Sequence, residues 1–288
     1  MLFSISLLAV ILAGCGGGSA SGNTSGKSET LRVGLVPNQN PEKVQAEYEP
    51  LAKYLSKNVG EKVELSVPTS YNAVVEAMAN DKLDMAYFGG LTYVQARQRA
   101  KVTPLVTEIN PYTHNTKYHS LIIVPSDSKI KNVSELKGKS FAFGSVSSTS
   151  GSLYPSIMLK QAGIDYRSDL GQKIYTGGHD TTAQAVANGK VDAGGLEDRI
   201  LYELEKQGTI DKSKVKTIKQ SAPIEGYPWV VRNSLSDKKK QEITNAFLNM
   251  KDPKLLDLLH AEGYAKVKAS DYDYIEQQAK KLGLLTAK

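Results

Sequence analysis

The segment Ser145-Val146-Ser147-Ser148-Thr149-Ser150-Gly151 crowds four serines and a threonine into seven residues. It stands between an apolar stretch at 139–144 and a pattern that reads as a helix beginning near Leu153. Backbone N–H groups at a helix start have no intrahelical partner and carry the positive end of the dipole. Hydroxyl donors added there make a socket for a tetrahedral oxyanion. Gly151 removes a side chain where a ligand or another backbone must come close. No Lys or Arg falls in the segment, so neutral donors would hold the anion, and the Gly-Lys-Ser/Thr ending of a phosphate-binding P-loop is missing. The same hydroxyls could do no more than cap a helix, and the segment alone leaves both readings open.

A second candidate is Gly177-Gly178-His179-Asp180, which places His179 at another helix start. There its ring can donate to an oxyanion, or simply cap and pack. Glu197 follows the apolar strand at 191–196. It could accept a hydrogen bond from a protonated ligand oxygen or a ligand amine, or be a solvated helix-start glutamate. Tyr118 lies in 117–124, and Tyr227 and Trp229 lie in Tyr227-Pro228-Trp229-Val230-Val231, two candidate crossover strands. Phenol and indole groups combine a polar tip with an apolar face, which suits a compact ligand, although strand aromatics often serve the core.

The elements needed to position these groups alternate in type. Residues 31–36 read as a buried strand, and Asn40-Pro41-Glu42 as a helix start with a capping side chain, a first-turn proline and an early acid. Val44, Tyr48, Leu51 and Leu55 follow at helical spacing, with a kink expected at Pro50 and an end before Gly60. A strand at 63–67, a helix at 72–80 and a strand at 85–88 complete a βαβ grammar, which implies mainly parallel sheets. Three helices are read in the tail, at 239–250, 253–261 and 271–282.

The grammar recurs. Moving from Tyr71 to His179, a shift of 108 residues, Ala77, Ala79, Asn80, Lys82 and Asp84 meet Ala185, Ala187, Asn188, Lys190 and Asp192. At the same shift Asn40 meets Ser148, Tyr71 meets His179 and Gly89 meets Glu197. Chance likeness of short helix–turn–strand units is the rival to duplication, but a period this long is no solenoid repeat. Two equivalent lobes would face a shared cleft, because open α/β sheets bind ligands beyond the carboxyl ends of their strands. The residues placed at the cleft are 38–40, 71 and 88–90 from one lobe, and 147–150, 179 and 196–197 from the other.

The whole chain has 288 residues, 40% hydrophobic and 23% charged, an ordinary globular composition. Its net charge of +6 is scattered, and Lys238-Lys239-Lys240 reads as a solvated helix face, so nucleic acid is not an expected partner. His114, His119, His179 and His260 show no metal-ligand spacing, and no metal or cofactor is expected. An enzyme using His179 beside a serine is the main rival, but no nucleophile-elbow motif or third orienting group is visible. Residues 2–14 form a short apolar run ending in Leu12-Ala13-Gly14-Cys15, which resembles a bacterial lipobox. The expectation is a signal peptide at 1–14, a lipidated Cys15 and a Gly/Ser-rich tether over 15–29. Residues 1–14 lack the Lys or Arg with which such signals usually begin, and this points to a start upstream of Met1.

Taken in serial order, Asp84-Met85-Ala86-Tyr87-Phe88-Gly89, Ser147-Ser148-Thr149-Ser150-Gly151 and Gly177-Gly178-His179-Asp180 resemble the phosphonate/phosphite-binding lipoproteins of ABC transporters. The resemblance runs from about residue 31 to 285. It implies a two-lobe α/β fold of the type II periplasmic binding-protein kind, with lobe I at 30–120 plus 226–288 and lobe II at 121–225. It also implies that Tyr71, Tyr118, Ser148, Thr149, Ser150 and His179 bind the oxyanion. Glu197 matches one of two acids that hold the amine in members taking aminoalkyl phosphonates. Tyr227 stands where the second acid would be, which favours phosphite or methylphosphonate, with P–H or P–CH3 against Tyr227 or Trp229. The implied partners are an ABC permease and ATPase, with a monomer anchored by lipid on the periplasmic side of a membrane or at the cell surface.

Overall fold

The structure, a computed structural model, describes residues 30–285, and the expected signal peptide at 1–14, Cys15 and the tether to residue 29 lie outside them. From β1 (Thr30–Leu35) the chain runs through α1 (Pro41–Val59), β2 (Lys62–Ser66), α2 (Tyr71–Ala79), β3 (Met85–Tyr87), α3 (Gly90–Arg99) and β4 (Val102–Ile109). The short β5 (Lys117–Tyr118) leads to β6 (Ser120–Pro125), β7 (Phe141–Phe143), α4 (Tyr154–Gln161), β8 (Lys173–Tyr175), α5 (His179–Ala187), β9 (Ala193–Glu197), α6 (Asp198–Lys206) and β10 (Val215–Gln220). Then β11 (Ile224–Glu225) returns beside β5, followed by β12 (Trp229–Arg232), α7 (Asp237–Leu248), α8 (Pro253–Leu258), β13 (Gly263–Lys266) and α9 (Asp273–Lys281). The sheets are ordered β13-β4-β12-β3-β1-β2 and β10-β6-β9-β7-β8, with β11-β5 a two-stranded link between them.

Local chemistry explains the starts and stops. Asn40 caps α1 by accepting from the Lys43 N–H, Pro41 occupies the first turn, and Gly60 ends the helix in the left-handed conformation. Pro50 leaves α1 unbroken: it and Ala46, whose carbonyl loses its partner, both face solvent. In β6, Leu121 and Ile123 pack with the α5 and α6 apolar residues while Ile122 and Val124 join the larger core, so the strand is buried on both faces.

The duplication is visible in strand register. Val33 pairs with Met85 and Gly34 with Ala86, while 108 residues later Phe141 pairs with Ala193 and Ala142 with Gly194. Asp84 takes the Arg32 N–H at 2.9 Å, and Asp192 takes the Ser140 N–H at 2.8 Å, again at the same shift. The caps correspond as well: Asn40 accepts from Lys43, and Ser148 from Gly151. Each repeat therefore ends its parallel strands in matching helix starts.

The sheets are mixed rather than mainly parallel. Only β2-β1-β3 and β8-β7-β9 are parallel trios; β12 and β6 run against them, and β4 and β10, antiparallel to β12 and β6, run with the trios again. A strand arriving from the other lobe enters at the cleft, where the parallel strands end, and so must run against them. The candidate crossover at 117–124 is accordingly split into β5 and β6. The tail holds one strand that its helical reading missed, β13, an edge partner of β4.

Candidate functional site

Matching helix starts set the geometry of the cleft. Ser148 follows β7, and its Oγ accepts from the Gly151 N–H at 3.0 Å. Residues Thr149–Leu153 then make a wide turn closed by Leu153 N–H to Ser148 O at 3.1 Å, continuous with α4. The first N–H groups of this turn lie outside the helical ladder. A Cβ on Gly151 would stand 2.9 Å from Ser148 Oγ, 3.1 Å from the Gly144 Cα and 3.1 Å from the His179 ring, so any side chain there must push these neighbours aside.

His179 is the first residue of α5, as Tyr71 is of α2. Its backbone N–H donates to Asn38 O of the facing lobe at 2.9 Å, and its side chain is 1% exposed. Burial, helped by the charge of Arg199 and opposed by Asp180, pushes the imidazole down to about 4. It is therefore neutral at pH 7, with one ring N–H to give. Nε2 lies 3.4 Å from Tyr227 Oη and 3.9 Å from Glu197 Oε2. Tyr71 lies against Tyr227 and Ser148, and Tyr118 against Ser150 and Thr149. Burial raises all three phenols (Tyr71, Tyr118, Tyr227), which keeps them protonated donors.

Among the described residues, eight buried side-chain polar atoms have no partner in the protein. Five belong to the residues expected to bind the ligand: Tyr71 Oη, Tyr118 Oη, Ser150 Oγ, His179 Nδ1 and Glu197 Oε2; a sixth is the indole Nε1 of Trp229. Buried polar groups are otherwise almost always paired, so this concentration marks a place built for a polar ligand. Four of the five can donate and Glu197 can accept, which suits an oxyanion bearing a proton or a positively charged substituent.

Some details differ from the sequence reading. Thr149 Oγ1 accepts the Leu91 N–H at 2.9 Å, so this hydroxyl also joins the lobes. Gly89, at the position equivalent to Glu197, faces Thr149 and Tyr227, and a Cβ there would be 3.3 Å from Thr149 Oγ1. Trp229 packs against Tyr48, Tyr87 and Phe247, and Tyr87 also packs against Tyr227, whose Oη lies 3.4 Å from His179 Nε2. A charged group was missed altogether. Arg199 donates to Glu197 Oε1 from Nε at 2.6 Å, with Nη2 ion-paired to the same oxygen at 2.5 Å, and donates from Nη1 to Glu108 Oε1 at 2.7 Å. The socket's own segment is uncharged, yet a guanidinium lies 5.5 Å from the Tyr118 ring and 5.6 Å from that of Tyr227. Only the pair Glu197 and Arg199 was close enough in sequence to hint at it, because Glu108 is 91 residues away.

Residues 33–272 match a family described as the periplasmic substrate-binding protein of phosphonate ABC transporters. A probable ABC transporter phosphite-binding protein, PhnD1 of Prochlorococcus marinus, is 30% identical over 88% of this chain and 90% of its own length. A phosphate-import protein, PhnD of Mycolicibacterium smegmatis, is 32% identical over 79% of this chain and 74% of its own. The solved structure of the P. marinus PhnD1 with methylphosphonate superposes with a TM-score of 0.78 at 27% identity, covering 88% of this chain and 98% of that one. With fold, cleft and sequence in agreement, the chain belongs to the periplasmic substrate-binding proteins of phosphonate ABC transporters, and it binds a solute for import rather than transforming it.

Proposed function

We propose that the solute is phosphite, gripped by Tyr71, Tyr118, Ser148, Thr149, Ser150 and His179, with Glu197 and Tyr227 completing the site. The observation that carries this reading is the convergence of buried, unpartnered hydroxyl and imidazole groups with one unpartnered carboxylate oxygen. Tyr227 supplies no negative charge for an amine, which disfavours aminoalkyl phosphonates. Its ring offers an apolar face for a P–H group. Methylphosphonate is the alternative, supported by the ligand in the P. marinus relative. Phosphate would bury an additional hydroxyl against that ring, at a cost of about 1–3 kcal/mol.

Calorimetry on residues 30–288 tests the ligand. Phosphite is expected to bind most tightly, then methylphosphonate, with phosphate and 2-aminoethylphosphonate weaker by tenfold or more. Tighter binding of either of the last two overturns the assignment. The lobes hinge shut over the anion and present it to the permease and ATPase of the importer. Cys15 with its lipobox-like context supports a lipid anchor. Cys15→Ala is expected to move the protein from the membrane fraction into the soluble fraction, and unchanged membrane association would reject the anchor.

A further inference from the structure

Glu197 is wholly buried, and its two carboxylate oxygens have different fates. Oε1 receives both arms of Arg199, while Oε2 has no partner in the protein and lies 3.9 Å from His179 Nε2. Arg199 in turn reaches across the cleft to Glu108 on β4, whose Oε1 also accepts from Tyr87 Oη at 2.9 Å. Glu108 is 3% exposed and Arg199 7% exposed, so this chain of charges is buried. Its members come from opposite lobes, so it joins them across the cleft.

We infer that Glu108 and Arg199, meeting across the cleft, position Glu197 as a hydrogen-bond acceptor, so that the site takes its oxyanion with one proton on oxygen. The inference rests on the ligand being a phosphorus oxyanion. Two carboxylates and one guanidinium already leave the buried network one negative charge in excess. A dianion would put an unprotonated ligand oxygen against Glu197 Oε2, acceptor against acceptor, in a buried site where the repulsion is weakly screened. One proton shared between that ligand oxygen and Oε2 removes the clash.

The groups facing Glu197 agree with this. Arg199 is the one cation among them, Glu108 and Asp198 are acidic, and His179 is neutral. The neighbouring phenols Tyr71, Tyr118, Tyr227 and Tyr87 stay protonated and can donate but not remove a proton. Burial raises the Glu197 carboxyl, with Arg199 the main opposing influence, and a carboxylate in that condition holds a shared proton well. Arg199 and Glu108 are thus positioning residues: the fork fixes which oxygen of Glu197 is free and where it points.

Phosphite titrated at pH 8 in two buffers of different ionisation enthalpy tests this directly. Uptake of close to one proton is expected, with affinity falling about tenfold per pH unit above the ligand's second ionisation. Glu197→Gln should abolish the uptake and flatten the pH profile, since an amide can donate to the unprotonated oxygen. Arg199→Lys keeps the charge but not the fork, and should lower affinity about tenfold and make the slope shallower while circular dichroism stays native. Glu108→Gln should do the same more mildly, and should add nothing to Glu197→Gln in the double variant. Absence of uptake in the unaltered protein overturns the inference, as does uptake that survives Glu197→Gln, which would put the proton on His179, or additive effects in the double variant. Methylphosphonate carries the same ionisable oxygens. Uptake with it, without phosphite binding, would reject the ligand assignment and still support the acceptor; binding of neither would reject both.

Discussion

Ser148 does two things with one hydroxyl. Its oxygen caps the Gly151 N–H, and its hydrogen remains free for an anion. Ser148→Ala should therefore weaken phosphite binding by about 1.5–3 kcal/mol, roughly 10- to 150-fold, and separately lower the melting temperature of the free protein by a few degrees. Unchanged affinity by calorimetry would remove the socket from the mechanism. His179 makes the opposite wall, and its burial carries a pH signature. Its pKa is depressed to about 4 in the fold and returns to an ordinary value near 6.5 on unfolding. The unfolded chain therefore binds the extra proton first. The stability contributed by keeping this imidazole neutral is complete above pH 6.5 and is lost as pH falls from 6.5 towards 4, by up to about 3 kcal/mol. Urea midpoints measured without ligand across that range should show the loss, and His179→Asn should flatten it.

At the scale of elements, the site depends on two glycines more than on any strand. Gly151 lets the Ser148 turn, the end of β7 and the His179 ring touch. Gly151→Ala should fold but displace the ring, weakening binding tenfold or more with little change in far-ultraviolet circular dichroism; retained affinity would show the contact to be slack. Gly89 leaves room for Thr149 and Tyr227 of the closing seam, where the equivalent Glu197 of the other lobe enters the site instead. A duplicated scaffold has thus kept its helix starts and diverged in what they carry. The helix starts were readable because caps are local: Asn40-Pro41 and Ser148 announce themselves within four residues. The strand β13 was not, because an edge strand of four residues has only one packed face and little periodicity to show.

For the whole molecule, the structure describes lobes in contact. Leu91 donates to Thr149, His179 to Asn38, Asn40 to Asp180 and Arg199 to Glu108 across the seam. Such contacts favour the closed state and so hold the anion in. Thr149→Val keeps the shape but leaves the Leu91 N–H unpaired in the closed form. It should weaken binding by about 1–3 kcal/mol, chiefly through faster ligand release in stopped-flow measurements. Unaltered release would mean that the seam does not govern retention.

The amino-acid order alone determined the repeat, the helix starts that bear the donors, and the identity of most groups at the cleft. These rest on interactions spanning a few residues, or on one segment copied 108 positions along, and both leave marks in a single chain. Only the tertiary structure decided that the sheets are mixed, that Tyr87 packs against both Trp229 and Tyr227, that Thr149 helps seal the seam, and that Arg199 ties Glu197 to Glu108. Each of these is a meeting of groups far apart along the chain, settled by how the two crossovers thread between the lobes, and nothing in either neighbourhood encodes the other's arrival.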